Sequence, residues 1–216
     1  YMNLASSNNI NLFGYKHFLL NLIENYKIGN LPKKIIFSGN RGIGKSTLAY
    51  HLTNYIFSNN EKNKYNFEDN IILSDNYSYN LVKKNSHPNF FLISSDEDKM
   101  NIQISKIREM ILFSNKSSFN GQSKIVLIDN IEYLNTSSVN SLLKIIEEPN
   151  NNIYFFLIHN SKEVILDTLK SRCIKYNLFL NYDERLKVIN DILKNNFYAN
   201  LNDDFKNFYN SPGDII

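Results

Sequence analysis

Apolar residues along this chain fall into two alternating rhythms, short unbroken runs and helical stripes. The runs Lys33-Lys34-Ile35-Ile36-Phe37-Ser38, Asn89-Phe90-Phe91-Leu92-Ile93-Ser94, Lys124-Ile125-Val126-Leu127-Ile128-Asp129 and Ile153-Tyr154-Phe155-Phe156-Leu157-Ile158 predict buried strands. A fifth strand is expected over 173–179. Between the runs, Phe18, Leu19, Leu22, Ile23 and Tyr26 form one helical stripe, Leu48, Leu52, Tyr55 and Ile56 a second, and Ile104, Ile107, Ile111 and Leu112 a third. A further helix reaches Glu147, with Thr136 or Ser137 able to cap it and Pro149 to stop it. A short one carries Ile165, Leu166 and Leu169. Near-continuous apolar strands alternating with helices predict an α/β fold, a parallel sheet covered on both faces. Beyond Asn181 the strands cease, and 182–193 and 203–209 read as short helices. The expected organisation is a nucleotide-binding domain over 1–179 and a small, incomplete helical lid over 180–216. Residues 58–87 are polar and irregular, as in an insertion or functional loop.

Composition narrows the class without choosing within it. A chain of 216 residues holds one α/β domain and a small satellite, and 43% hydrophobic content is ordinary for a folded protein. No stretch approaches the roughly 20 apolar residues of a membrane helix and no signal peptide opens the chain, so a cytoplasmic location is the expectation. The chain opens on Tyr1, with Met2 behind it as a candidate start. The single cysteine, Cys173, excludes an intrachain disulfide and a multi-cysteine metal site. A net charge of +3 is mildly basic; it permits contact with DNA and does not argue for it. Asparagine runs such as Ser58-Asn59-Asn60 read as codon bias expressed wherever a surface tolerates it.

The chemistry begins at Gly39-Asn40-Arg41-Gly42-Ile43-Gly44-Lys45-Ser46, a complete phosphate-binding loop between a predicted strand and a predicted helix. Its glycines let backbone N–H groups turn toward anionic oxygens at a helix N-terminus. Lys45 is expected to reach the β- and γ-phosphates and Ser46 to bind Mg²⁺ through its hydroxyl, with Thr47 a helix N-terminal residue beside them. Asp129 ends a buried strand, where an unpaired carboxylate is costly, and a magnesium partner explains it. The alternative is a cap on the following turn.

Two further signatures follow: Val139-Asn140-Ser141-Leu142-Leu143-Lys144-Ile145-Ile146-Glu147-Glu148-Pro149, then Ser171-Arg172-Cys173. With the phosphate loop and Asp129, in this order, the chain resembles the clamp-loader branch of the AAA+ ATPases, and within it the delta-prime type found in bacterial DNA polymerase III. The likeness runs from Leu12-Phe13-Gly14, through Ser105-Lys106-Ile107-Arg108-Glu109-Met110, to Ser211-Pro212-Gly213. It implies a RecA-like AAA+ sheet with a helical lid, and ATP or ADP with Mg²⁺ as ligands. It also implies other clamp-loader subunits in a hetero-pentamer, a sliding clamp, and primer-template DNA reached through the complex. In that family Arg172 would be an arginine finger, acting in trans on ATP bound by a neighbour. Asn160 would be either the polar sensor of the γ-phosphate or a turn residue. His87 reads as structural, and Cys173 as a small buried residue.

The sequence also departs from a working member of that family. Asn130 stands where hydrolysing relatives have a glutamate, and an amide cannot accept a proton from water at neutral pH. Glu132 is expected to point elsewhere. Asp214 follows Ser211-Pro212-Gly213, where relatives often carry a lid arginine. Residues 58–87 contain no cysteine, so no zinc module is expected. The collar domain usual in relatives is absent before the end at Ile216, which reads as a truncated or partial subunit. The expectation is a delta-prime-like subunit that binds ATP and hydrolyses it weakly or not at all. The alternatives are a catalytic gamma/tau-like motor, or an unrelated P-loop enzyme such as a kinase, which leaves the Glu-Glu-Pro run and Arg172 unexplained.

Overall fold

A computed structural model describes residues 5–95, 101–148, 152–195 and 211–214. In chain order the elements are α1 (Lys16–Lys27), β1 (Lys34–Gly39), α2 (Lys45–Ser58), α3 (Tyr77–Lys83), β2 (Phe90–Ile93), α4 (Ile104–Asn115), β3 (Lys124–Ile128), α5 (Thr136–Glu147), β4 (Ile153–Asn160), α6 (Asp167–Lys170), β5 (Ile174–Asn177) and α7 (Tyr182–Asn195). All strand pairs are parallel, in the order β2-β3-β4-β1-β5.

Side chains alternate across a strand, and here both sides find an apolar partner. Ile35, Phe37, Leu127 and Phe156 pack with Leu19 and Ile23 of α1 and Leu48 and Leu52 of α2. Ile36, Val126, Phe155 and Leu157 turn the other way, onto Ile107 and Met110 of α4 and Leu142 and Ile146 of α5. This double burial is why the strand runs are unbroken rather than alternating. Each such side chain contributes about 1.5–3 kcal/mol by leaving water.

The register sets the poles of the molecule. β1 pairs with β4 from Lys34↔Phe155 to Gly39↔Asn160, so the phosphate loop and Asn160 leave the sheet side by side. β5 begins at the opposite end, with Ile174 against Ile35. In a parallel sheet, ligands bind at the carboxyl ends of the strands, here the Gly39–Asn160 pole.

The structure amends several sequence expectations. Residues 58–87 are not irregular throughout: they contain α3 and bury Tyr65, Ile72, Tyr79 and Val82 in the α1–α2 core. Nor are the asparagines only surface residues. Asn76 is fully buried, donating to Asn63 O at 2.6 Å and accepting from Asn54 Nδ2 at 2.9 Å and Tyr79 N at 2.7 Å. Helix α5 is capped by Asn135, whose side chain accepts from Ser138 N at 2.8 Å; Thr136 is its first residue. Helix α6 is a single turn that Ile165 and Leu166 precede, and β5 is four residues, shorter than the expected 173–179. The expected helix over 203–209 and the stop at Pro149 lie outside the described residues. Among the described residues no helix is long and apolar enough to cross a membrane.

Candidate functional site

At the carboxyl pole the loop Gly39–Ser46 turns from β1 into α2, with Gly42 and Gly44 at φ of 76° and 92°. Those left-handed angles favour glycine and let the loop wrap inward. Lys45 opens α2 and is buried, its Nζ donating to Gly39 O at 3.0 Å and Asn40 O at 2.6 Å. Burial lowers the Lys45 pKa; the Glu132 carboxylate, then Asp129, oppose that, and Arg41 adds to it. Ser46 Oγ donates to both carboxylate oxygens of Asp129 at 3.1 Å. Burial raises the Asp129 pKa, against the Ser46 hydrogen bond, the Lys45 charge and the Asn130 N–H.

The remaining loop residues gather at the same place. Asn40 Oδ1 accepts from Ser161 Oγ at 3.1 Å, just after β4. Thr47 is buried and its hydroxyl accepts from Asn9 Nδ2 at 3.3 Å, which ties the N-terminal segment to α2. Arg41 and Ile43 line a cleft of about 550 Å³ together with Lys162, Tyr182 and Arg185. Among the described residues that line it, the charged ones are all cations: Arg41, Lys162 and Arg185. The turn at Pro212–Asp214 closes onto the loop: Gly213 N donates to Gly42 O at 2.9 Å. The side chain of Asp214 lies outside the described residues.

The sheet brings Asn160 to the site, though in a way that favours the turn reading. Its Oδ1 accepts from Lys162 N at 3.3 Å, and its N–H donates to both Glu132 oxygens at 3.3 Å. Glu132 thus points into the site, and the expectation that it points elsewhere was wrong. Strand β3 ends at Ile128, Asn130 takes a left-handed φ of 63°, and a 3-10 turn spans Ile131–Tyr133. That reversal carries Glu132 back toward Lys45 and Asn160. Burial raises the Glu132 pKa, opposed first by backbone hydrogen bonds and then by Lys45. The available signal was Asn130 itself, since asparagine tolerates the left-handed backbone that turns a chain out of a strand. Asn9 gave no signal in the sequence.

Arg172 stands apart from this group, two residues before β5 and so at the opposite pole. Its Nε donates to Glu147 Oε1 at 2.7 Å, and its side chain is 38% exposed. Cys173 is buried, its thiol pushed up to about 11 by burial, which suits packing and not nucleophilic chemistry. His87 stacks on Phe57 at 4.0 Å and accepts from Asn89 N, a structural role.

The pole fits a magnesium nucleotide. A buried carboxylate with a hydroxyl as its direct partner, beside a loop with left-handed Gly42 and Gly44, is an oxygen donor set of the kind Mg²⁺ shares with phosphates. Among the described residues no three His, Cys, Asp or Glu side chains cluster as a metal site of their own. Residues 14–180 match the family described as "DNA polymerase III, delta subunit". The chain is 32% identical to the DNA polymerase III subunit delta' of Buchnera aphidicola subsp. Baizongia pistaciae, covering 79% of this chain and 51% of that protein. It is 26% identical to the DNA polymerase III subunit gamma of Buchnera aphidicola subsp. Acyrthosiphon pisum, covering 81% and 46%. The chain therefore spans about half the length of these relatives. A DNA polymerase III gamma subunit-related protein from Thermotoga maritima superposes with a TM-score of 0.53 at 20% identity, covering 81% of this chain and 52% of that one; this likeness shows the fold.

Proposed function

The chain belongs to the DNA polymerase III delta-subunit family as a delta-prime-like clamp-loader subunit, and from that premise we propose that it holds nucleotide in a nearly inert cradle while Arg172 acts on nucleotide held by a neighbouring subunit. The supporting observation is the distance between Arg172 and its own phosphate loop. Ile174 pairs with Ile35, and Gly39 lies four residues further along β1. At ~3.3 Å per residue that is ~13 Å along the sheet, before the two residues back to Arg172 are added. An arginine side chain does not span that gap to its own nucleotide. Half-exposed at the far pole, it is available to another protomer's phosphates, where a permanently charged fork matches phosphate oxygens.

In the cradle, Lys45 and the loop amides would bind the phosphates, and Ser46 and Asp129 would hold Mg²⁺. Bound Mg²⁺ would neutralise charge on the β- and γ-phosphate oxygens. Arg41, Lys162 and Arg185 would draw the polyphosphate into the cationic cleft. Hydrolysis would be slow because Asn130 cannot serve as base; loss of a general base costs about 10²–10⁴ in rate. Residual turnover would run through Glu132. That carboxylate is also the one observation favouring a catalytic, gamma-like motor, and sustained ATPase by the purified chain would select that reading. In this proposal residues 1–179 bind nucleotide, 180–216 form the lid, the other clamp-loader subunits are direct partners, and the sliding clamp and primed DNA are met through the complex in the cytoplasm.

The test is Arg172→Ala in the assembled complex. Nucleotide binding by this chain should be unchanged while complex ATPase falls by about 10³ or more at the site it serves. Undiminished turnover would remove the trans role.

A further inference from the structure

Arg172 is held in a fixed pose. Its Nε donates to Glu147 Oε1 at 2.7 Å, and its Nη1 donates to Thr168 O at 3.0 Å and to Ser171 Oγ at 3.4 Å. Nη2 has no hydrogen-bond partner among the described residues. Two nitrogens of the guanidinium are thus tied to its own subunit and the third, Nη2, is left for a ligand.

Glu147 is well suited to hold that pose, because its own backbone is anchored. It is the last residue of α5, whose Leu143 and Ile146 are buried in the core beneath the sheet. Lys34 Nζ donates to Ile146 O at 3.1 Å and ties this helix end to the start of β1. The Glu147 and Arg172 side chains are 49% and 38% exposed, so the pair adds little to folding stability. What it can do is restrict a long, rotamer-rich side chain to one direction.

We propose that Glu147 is a positioning residue for Arg172, holding it so that the free Nη2 can meet a polyphosphate bound by an adjacent subunit. This rests on the trans role of Arg172 proposed above. Docking an already ordered arginine avoids the entropy of freezing it at the moment of contact, an effect of about two- to tenfold per side chain. The opposite arrangement, in which Glu147 competes with the phosphate and restrains the arginine, predicts the opposite sign.

The experiment is steady-state ATPase of the assembled complex, with Glu147→Ala, Glu147→Gln, Arg172→Ala and the double variant in this subunit. Glu147→Ala should lower kcat about two- to tenfold with KM for ATP unchanged, since the nucleotide pocket belongs to the neighbour. Glu147→Gln keeps an acceptor for Nε and should recover most of that loss. The double variant should be no slower than Arg172→Ala alone, because Glu147 acts only through the arginine. If Arg172→Ala cripples turnover while Glu147→Ala leaves kcat unchanged or raises it, the positioning role is overturned and the trans role stands. If Arg172→Ala itself changes nothing, both fall together.

Discussion

Replacing Gly42 by alanine tests whether the 212–214 turn is docked on the phosphate loop. A Cβ at Gly42 would meet Ser211 Oγ at 2.0 Å, Ser211 Cβ at 3.1 Å and Gly213 Cα at 3.2 Å. The hydroxyl can rotate away, but the other two contacts require the turn to withdraw by a few tenths of an ångström. That movement stretches the 2.9 Å hydrogen bond from Gly213 N to Gly42 O. Losing it costs about 0.5–1.5 kcal/mol, and overpacking a close contact about 1–3 kcal/mol. The docked turn is therefore disfavoured by about 1.5 kcal/mol or more, a tenfold or greater rise in its opening. Separately, the left-handed φ of 76° costs an alanine ~1–2 kcal/mol in the loop itself, which should weaken nucleotide binding. Gly213→Ala separates the two effects. It has no left-handed angle to strain, but its Cβ would sit 2.8 Å from Gly42 Cα and 3.0 Å from Gly42 O, backbone atoms that yield poorly. Amide hydrogen exchange is the assay: Gly213 should lose protection in both variants, and nucleotide affinity should fall further in Gly42→Ala. Undiminished protection at Gly213 in Gly42→Ala would refute the docking argument.

The buried His51 makes the fold sensitive to acid. Its ring bridges Tyr65 Oη at 2.9 Å and Asn9 O at 3.1 Å, and burial lowers its pKa from 6.5 to about 4. Between those values the unfolded chain binds the proton and the native chain does not, so this contribution is intact above pH 6.5 and is lost as pH falls toward 4. Urea titrations across that window should show a loss of about 3 kcal/mol from this residue, and a flat profile would contradict it. In the proposed nucleotide site, Asn130→Glu should restore little hydrolysis. The new side chain would leave a left-handed backbone at φ 63°, which also penalises glutamate more than asparagine. Glu132→Gln should remove most of whatever turnover the purified chain shows, and strong rescue by Asn130→Glu would reverse both expectations.

Strands β1, β3 and β4 were legible because they are buried on both faces, and a strand with no solvent side leaves an unbroken apolar run; β5, largely exposed, was expected too long. The strand-to-helix loop Gly39–Ser46 was legible because its glycines answer a local backbone need. What escaped was set by neighbours distant in sequence. Glu132 looked excluded while β3 was extended to Asp129; the left-handed Asn130 and the turn behind it brought the carboxylate back. The segment 58–87 looked like loose surface because its buried apolar residues, Tyr65, Ile72, Tyr79 and Val82, are few and dispersed among asparagines and other polar residues, and only the last two share a helix. Those asparagines close the buried hydrogen bonds that an irregular backbone leaves open, a role visible only once Asn54 and Asn63 are beside Asn76.

Helix α5 gives the two poles a common support. It begins at Thr136, just after the turn that carries Glu132, and ends at Glu147, which grips Arg172. Twelve residues at 1.5 Å each make a rod of ~18 Å. Its buried face, Val139, Leu142, Leu143 and Ile146, locks it to the strands, and Lys34 fastens its end. The pose of Arg172 therefore depends on core packing and not on the chemistry at Lys45. On the reading proposed above, such a subunit could lose its own general base without loosening the arginine it would offer to a neighbour, so an impaired cradle and an ordered arginine are compatible in one chain.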